Sequence, residues 1–383
     1  MTIDTWIGQA MAQRASDIHL RSGAPPMMRV DGDLHTLTPQ ILAREDLLAW
    51  LQALPPTCRP PTLQAPLDFD AAIVLPRLGR FRCNLFWHDQ GMGVVLRPIP
   101  TEVPTLAGLQ CPTALAHWAS QSHGLVLVTG PTGSGKSSTL AAMLQHIHQH
   151  QARHIITLED PIEFVHGTGQ GLVTQREVGR DTASFATGLR AALREDPDVI
   201  MVGELRDTES IRLALTAAET GHLVLATLHT NDAPGVLYRL MHMGVEAFQL
   251  AASVHLVTAQ RLVRRLCPQC KQPSTWGAEF DRLGLGPAAL SQAGFDNPPP
   301  PDQPIYKPVG CGQCLEGFMG RVGIFQVMPV SPAMASLLVQ EKDLSTLTVQ
   351  AQREGMRTLR QAGWLKVSSG LTAVQEVLGA THV

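Results

Sequence analysis

Between the unbroken apolar run Gly124-Leu-Val-Leu-Val-Thr129 and the segment Ser138-Thr-Leu-Ala-Ala-Met-Leu144 lies Gly130-Pro-Thr-Gly-Ser-Gly-Lys-Ser137. This succession admits few folds. Leu125–Val128, apolar throughout and flanked by Gly124 and Thr129, reads as a buried strand, and the segment that follows reads as a helix. Glycines at 130, 133 and 135 let consecutive backbone N–H groups point at an anion, with the helix N-terminus adding positive dipole. The run fits G-x-x-x-x-G-K-[ST] at every fixed position, so Gly130, Pro131, Thr132, Gly133, Ser134, Gly135, Lys136, Ser137 and Ser138 are candidate nucleotide-binding residues. Lys136 is placed for the β- and γ-phosphates of ATP and Ser137 for Mg2+. The plainer reading is a glycine-rich turn that merely opens a helix. Only five lysines occur in the chain, and one falls at the required position, which favours the phosphate loop.

At 383 residues the chain has room for two or three domains with real cores. The formal charge of −3 leaves no electrostatic footprint for nucleic acid, and 5% aromatic residues with two tyrosines supply few stacking platforms for a single strand. Arginine outnumbers lysine 25 to 5, a bias that genome composition explains as well as function does. Met1-Thr-Ile-Asp-Thr-Trp-Ile7 has neither the basic start nor the apolar stretch of a signal peptide, and no apolar run reaches the ~20 residues that span a bilayer. The expected location is cytoplasmic, with membrane association through partners.

Five segments are expected. Residues 1–97 mix short alternating runs with turn-rich stretches such as Ala24-Pro-Pro26 and Pro55-Pro-Thr-Cys-Arg-Pro-Pro61, which suggests a small α+β domain. Three prolines between Arg97 and Pro104 mark a linker over 98–106. Over 107–265, apolar strands alternate with amphipathic helices; Gly124–Thr129, His154–Leu158, Val199–Val202 and Leu223–Leu228 are the strand candidates. That alternation predicts an α/β fold with a parallel sheet covered on both faces. A cysteine-bearing insertion occupies 266–320, with an extended loop at Asp296–Pro304, and 321–383 is expected to be largely helical.

The ligand edge of a parallel sheet lies at the carboxyl ends of its strands. Behind His154–Leu158 come Glu159, Asp160 and Glu163, carboxylates that suit Mg2+ or its water shell; a solvated acidic turn is the alternative. Behind Val199–Val202 comes Glu204, followed by Leu205-Arg206-Asp207. Phosphoryl transfer to water needs positioning and charge more than covalent chemistry, which makes Glu204 the first choice for the acid that polarises the attacking water. Asp207 reads equally well as the cap of the helix that starts at Thr208. His222 and His229 bracket the fourth strand, and a neutral imidazole at 229 suits sensing of a γ-phosphate. In Gly79–Leu85, two-residue periodicity puts Arg80, Arg82 and Asn84 on one face and Phe81, Cys83 and Leu85 on the other. The arginines form either a solvated face or a supply of positive charge to a phosphate.

Cys267-Pro-Gln-Cys270 and Cys311-Gly-Gln-Cys314 are two knuckles separated by 40 residues. Four thiolates suit one tetrahedral Zn2+ at ~2.3 Å, and four protein ligands leave no open position, so such a site is structural. A redox pair is the alternative. Cys58, Cys83 and Cys111 stand alone and read as small core residues.

Taken together, these motifs resemble the secretion ATPases of type II secretion and type IV pilus systems. The resemblance runs over nearly the whole chain: Ala15-Ser-Asp-Ile-His-Leu20, the phosphate loop, Leu158-Glu-Asp-Pro-Ile-Glu163, Leu193–Asp207 and the histidine box 222–232. It implies a PAS-like N-terminal domain joined to a RecA-like ATPase core in a hexameric ring. It also implies nucleotide contacts from Arg80, Arg82 and Arg97, a Walker B role for Glu204, and box residues at Glu163 and His229. ATP turnover then drives pilin or pseudopilin subunits through an inner-membrane platform protein. The tetracysteine insertion, Gln260–Cys267, Arg353–Trp364 and Ser369–Val377 resemble the assembly and secretion branch. A retraction motor, a nucleic-acid translocase and a non-hydrolysing regulator are the competing expectations. Only about fourteen residues precede Ala15, where assembly and secretion members usually carry a further docking domain.

Overall fold

The computed structural model describes residues 2–13, 15–30, 33–55, 59, 68–99, 102–285 and 299–381. Cys58, most of the proline-rich stretch at 55–61 and the first three residues of the loop expected at 296–304 lie outside them. The chain divides into two compact units, one of residues 1–103 with Pro161–Val165, the other of 104–160 with 166–383.

The first unit is built on six antiparallel strands: β1 (Asp17–Arg21), β2 (Met27–Val30), β3 (Asp33–Thr36), β4 (Asp68–Leu75), β5 (Gly79–His88) and β6 (Gly91–Ile99), in the order β3-β2-β1-β6-β5-β4. Helices Ile3–Ala12 and Arg44–Ala53 contribute Trp6, Ile7, Leu47 and Leu51 to its core. β5 follows the expected alternation, burying Phe81, Cys83 and Leu85 while Arg80, Arg82 and Asn84 stay half-exposed.

The second unit carries β7 (Gly124–Thr129), β8 (His154–Glu159), β9 (Leu172–Glu177), β10 (Val199–Val202), β11 (Leu223–Leu228), β12 (Val254–Leu266) and β15 (Phe318–Pro329) in one sheet, ordered β15-β12-β7-β11-β10-β8-β9. A separate pair, β13 (Gln272–Thr275) and β14 (Pro304–Lys307), lies between the cysteine knuckles in sequence. The four candidate strands are all present and parallel. β7 is buried on both faces: Leu125 and Leu127 enter one core cluster, Val126 and Val128 the other. Such two-sided burial is why these strands read as continuous apolar runs.

The tail departs from expectation. Its first nine residues, 321–329, are not helical but belong to β15, which pairs antiparallel with β12 and makes the sheet mixed. β12 and β15 mix polar and charged residues (Gln260, Arg261, Arg264, Gln326) with apolar ones, so neither gives a clean apolar run. Helices Pro332–Val339, Leu344–Arg353, Leu359–Ser368 and Val374–Ala380 follow. Among the described residues no helix is long and apolar enough to cross a membrane.

Candidate nucleotide site and cysteine cluster

β7 delivers the loop 130–135 to the carboxyl edge of the sheet, and the helix Lys136–His150 leaves it. Gly130 and Gly135 have φ of 148° and 89°, a region that side-chain-bearing residues avoid. Space is closed there as well. A Cβ on Gly130 would stand 2.5 Å from the Gln260 carbonyl oxygen, and one on Gly135 2.8 Å from Gln260 Nε2. The loop is therefore moulded against β12. Gly135 gives the helix no side-chain cap, which leaves its first N–H groups available to an anion. Ser134 Oγ is buried without a hydrogen-bond partner, a second sign of a cradle shaped for something more than protein. Thr132, Gly133 and Ser137 are exposed at the rim, and Ser138 is half-buried.

Lys136 Nζ donates to the carbonyls of Gly130 at 2.9 Å and Pro131 at 3.1 Å, and lies 3.5 Å from His229 Nδ1. The other ring nitrogen of His229 stands 3.0 Å from Glu204 Oε1. Glu204 Oε2 accepts from both Nε and Nη2 of Arg206 at 2.8 Å. That contact, and the charge behind it, raise the Arg206 pKa above its ordinary value. Strand ends β7, β10 and β11 thus bring three predicted residues, Lys136, Glu204 and His229, into one polar line. The loop behind β11 is fastened to β7, because Thr230 N donates to Thr129 Oγ1 at 2.8 Å and the two hydroxyls lie 2.9 Å apart. Arg239 donates to the His229 carbonyl. Beside these groups a 340 Å³ cavity is lined by Pro131, His229, Thr230, Asn231, Gly235 and Arg239.

The remaining candidates have other partners. Glu159 is buried at the end of β8, accepting from Thr157 Oγ1 and Gln175 Nε2. Asp160 is exposed, close enough for its charge to act on Arg206. Glu163 lies within Pro161–Val165, which groups with the first unit. In that unit Arg97 holds Asp17 Oδ1 through Nε at 2.8 Å and Nη2 at 2.7 Å, and Arg82 stands 3.6 Å from Asp70. Arg80 neighbours them on β5, and Arg82 faces Arg97 across the β5–β6 ladder. Asp207 caps its helix, accepting from Ser210 N at 2.8 Å. Sequence reasoning assigned nothing to Gln260, Thr129, Arg206 or Arg239. The sole signal for Arg206 was its place two residues beyond Glu204.

The four cysteine sulfurs gather within 4.8 Å of one another. Cys270 to Cys314 and Cys311 to Cys314 are both 3.6 Å, far longer than a disulfide. They are close to the edge of about 3.8 Å that four ~2.3 Å Zn–S bonds define. The Cys311 N–H donates to Cys314 Sγ at 3.3 Å, orienting that sulfur. The donor set fits a zinc ion better than a redox pair. Cys83 is buried and Cys111 half-buried; burial pushes the Cys111 thiol up to about 12, which suits a packing residue better than a nucleophile.

A phosphate loop at the carboxyl edge of a predominantly parallel sheet, with an acid and a histidine delivered by the two neighbouring strand ends, defines an ATP-hydrolysing enzyme of the phosphate-loop class. The family model described as "Type II/IV secretion system protein" matches residues 1–379, and the chain belongs to that family. It is 38% identical to Type II secretion system protein E of Pseudomonas aeruginosa over 396 aligned positions, covering 99% of this chain and 75% of that protein. Identity to the type IV pilus retractation ATPase PilT of the same organism is 43% over 272, or 70% of this chain and 79% of that one. A crystal structure of the pilus retraction motor PilT with bound ADP superposes with a TM-score of 0.79 at 32% identity, covering 100% of this chain and 98% of that one.

Proposed function

We propose that this chain powers pilin or pseudopilin movement in the assembly or secretion direction, as a homohexameric ATPase on the cytoplasmic side of the inner membrane, docked to a platform protein. In this reading the second unit is a RecA-like core and the first unit is PAS-like. The phosphate loop and Lys136 bind the triphosphate, and Ser137 holds Mg2+, which supplies charge neutralisation at the phosphates. Glu204 accepts the proton of the attacking water, and His229 registers the γ-phosphate. Glu163 belongs to the acidic box that serves the metal's water shell. Arg80, Arg82 and Arg97 contact nucleotide within the assembled ring, a role that rests on the family resemblance alone. Cys267, Cys270, Cys311 and Cys314 hold a structural zinc.

The tetracysteine cluster carries the directional part of this reading, because the insertion resembles the assembly and secretion branch. The extent of the sequence match supports it: 99% of the chain aligns with the secretion protein and 70% with the retractation ATPase. Retraction is the second reading, favoured by the likeness to the PilT motor. Deleting the gene and scoring surface pili and secreted protein separates them. Loss of pili or of secretion is the expected result, whereas surplus surface pili would mark a retraction motor. ATPase activity that DNA stimulates and salt suppresses would point to a translocase on nucleic acid.

A further inference from the structure

Glu204 has both oxygens engaged. Oε1 faces His229 Nε2 at 3.0 Å, and Oε2 takes two N–H groups from one guanidinium, each at 2.8 Å. The backbone beneath is pinned on every side. Gly203 N donates to Leu158 O at 2.8 Å, and Leu205 N to Thr227 O at 3.0 Å, with the Leu205 side chain 3% exposed. Asp207 is fixed as a helix cap. Across the buried Leu205, residues 204 and 206 emerge together, so the contact follows from the local backbone itself. The Glu204 side chain is 20% exposed and that of Arg206 64% exposed. Asp160 is the other acid whose charge Arg206 feels.

We infer that Arg206 is the positioning residue of Glu204: its two-pronged grip on Oε2 sets the carboxylate's rotamer and turns Oε1 towards His229 and the phosphate loop. The physical reason is geometric. A glutamate has three rotatable bonds, and an acid that must face a water in one orientation loses rate when those bonds are unrestrained. Two guanidinium nitrogens converge on Oε2 from a rigid plane, which holds that oxygen in one place as a single ammonium does not. The guanidinium lies on the solvent side and Lys136 on the loop side, so Arg206 acts through Glu204 and not on the phosphates.

The inference rests on Glu204 being the acid that serves the attacking water, and the experiment keeps the two apart. Steady-state ATP hydrolysis is measured for the full chain and for E204Q, R206Q, R206K and E204Q/R206Q, with binding of a fluorescent ATP analogue and melting temperature for each. For R206Q, kcat is expected to fall about tenfold or more, a share of the roughly 10²–10⁴-fold that a positioned acid–base group supplies, with KM and analogue binding held within about twofold. R206K is expected to restore part of kcat, and R206Q to add nothing to the loss already caused by E204Q. Unchanged kcat in R206Q, or an equal further loss in the E204Q background, would overturn the role of Arg206. Full activity in E204Q would instead overturn the assignment of Glu204. A melting temperature in R206Q lowered in proportion to the activity loss would also count against positioning, because the exposed side chain would then be holding the fold.

Discussion

Gly135→Ala tests whether the phosphate loop is moulded by its neighbours or is merely flexible. Gly135 has φ of 89°, and an alanine there costs about 1–2 kcal/mol in backbone conformation alone. Its Cβ would also lie 2.8 Å from Gln260 Nε2. Gln260 can swing aside only by giving up the 2.8 Å hydrogen bond that its Oε1 accepts from Thr139 Oγ1, and both residues are buried. Losing that bond adds about 1 kcal/mol, for a total of roughly 2–3 kcal/mol. At about 2–4 °C per kcal/mol for domains of this order, the nucleotide-free protein should melt roughly 7 °C lower. Gly133→Ala is the internal control. Gly133 has φ of 79°, but nothing lies within 4 Å of the position its Cβ would take. It should incur the conformational cost without the packing cost, a drop of roughly 4 °C by the same conversion. Differential scanning fluorimetry without nucleotide reads both. Equal drops, or a larger one for Gly133→Ala, would refute the argument that Gln260 closes the space behind the loop.

Three further outcomes follow from the same geometry. Lys136→Ala should abolish ATP hydrolysis in a coupled phosphate-release assay, and activity within a few-fold of wild type would defeat the site assignment. Wild-type protein should carry one zinc per chain by elemental analysis, lost in Cys267→Ser or Cys311→Ser; a folded, metal-free wild type would count against the tetrad. Burial, with the charge of His148 second, holds His166 down at about 4, while Nδ1 is bonded to Gln145 Oε1 at 3.0 Å. A depressed histidine contributes stability that is full above the unfolded value near 6.5 and is lost as pH falls towards 4, up to about 3 kcal/mol. Urea midpoints between pH 7 and 4 should therefore fall, and His166→Gln should flatten much of that slope.

What could be read from residue order was local. The strands at Gly124–Thr129, Val199–Val202 and Leu223–Leu228 were legible because burial on both faces writes an unbroken apolar run. The phosphate loop was legible because its glycines and lysine answer to the shape of a triphosphate, whatever surrounds them. The Cys-x-x-Cys pairs showed in the same way, since a metal dictates ligand type and short spacing. β12 and β15 were not legible, because Gln260, Arg261, Arg264 and Gln326 interrupt their apolar pattern and their pairing joins residues about fifty to seventy apart. That pairing takes the first nine residues of a tail expected to be largely helical into the sheet's antiparallel edge, and four helices follow them.

Glu204, His229 and Lys136 were each conspicuous at a strand end, yet their order in the chain says nothing about which oxygen faces which nitrogen. That depends on parallel register across β10, β11 and β7. Likewise, the sequence marks Arg206 only by its place two residues beyond Glu204; the pinned segment around Leu205 aims it there. The sequence by itself determined that the chain binds a triphosphate beside a parallel sheet and carries four thiols suited to one metal, because those chemistries require particular residue types at short spacing. The polar line from Glu204 through His229 to Lys136 and the closure of the loop against Gln260 come from tertiary structure, because both arise where distant strands come into register.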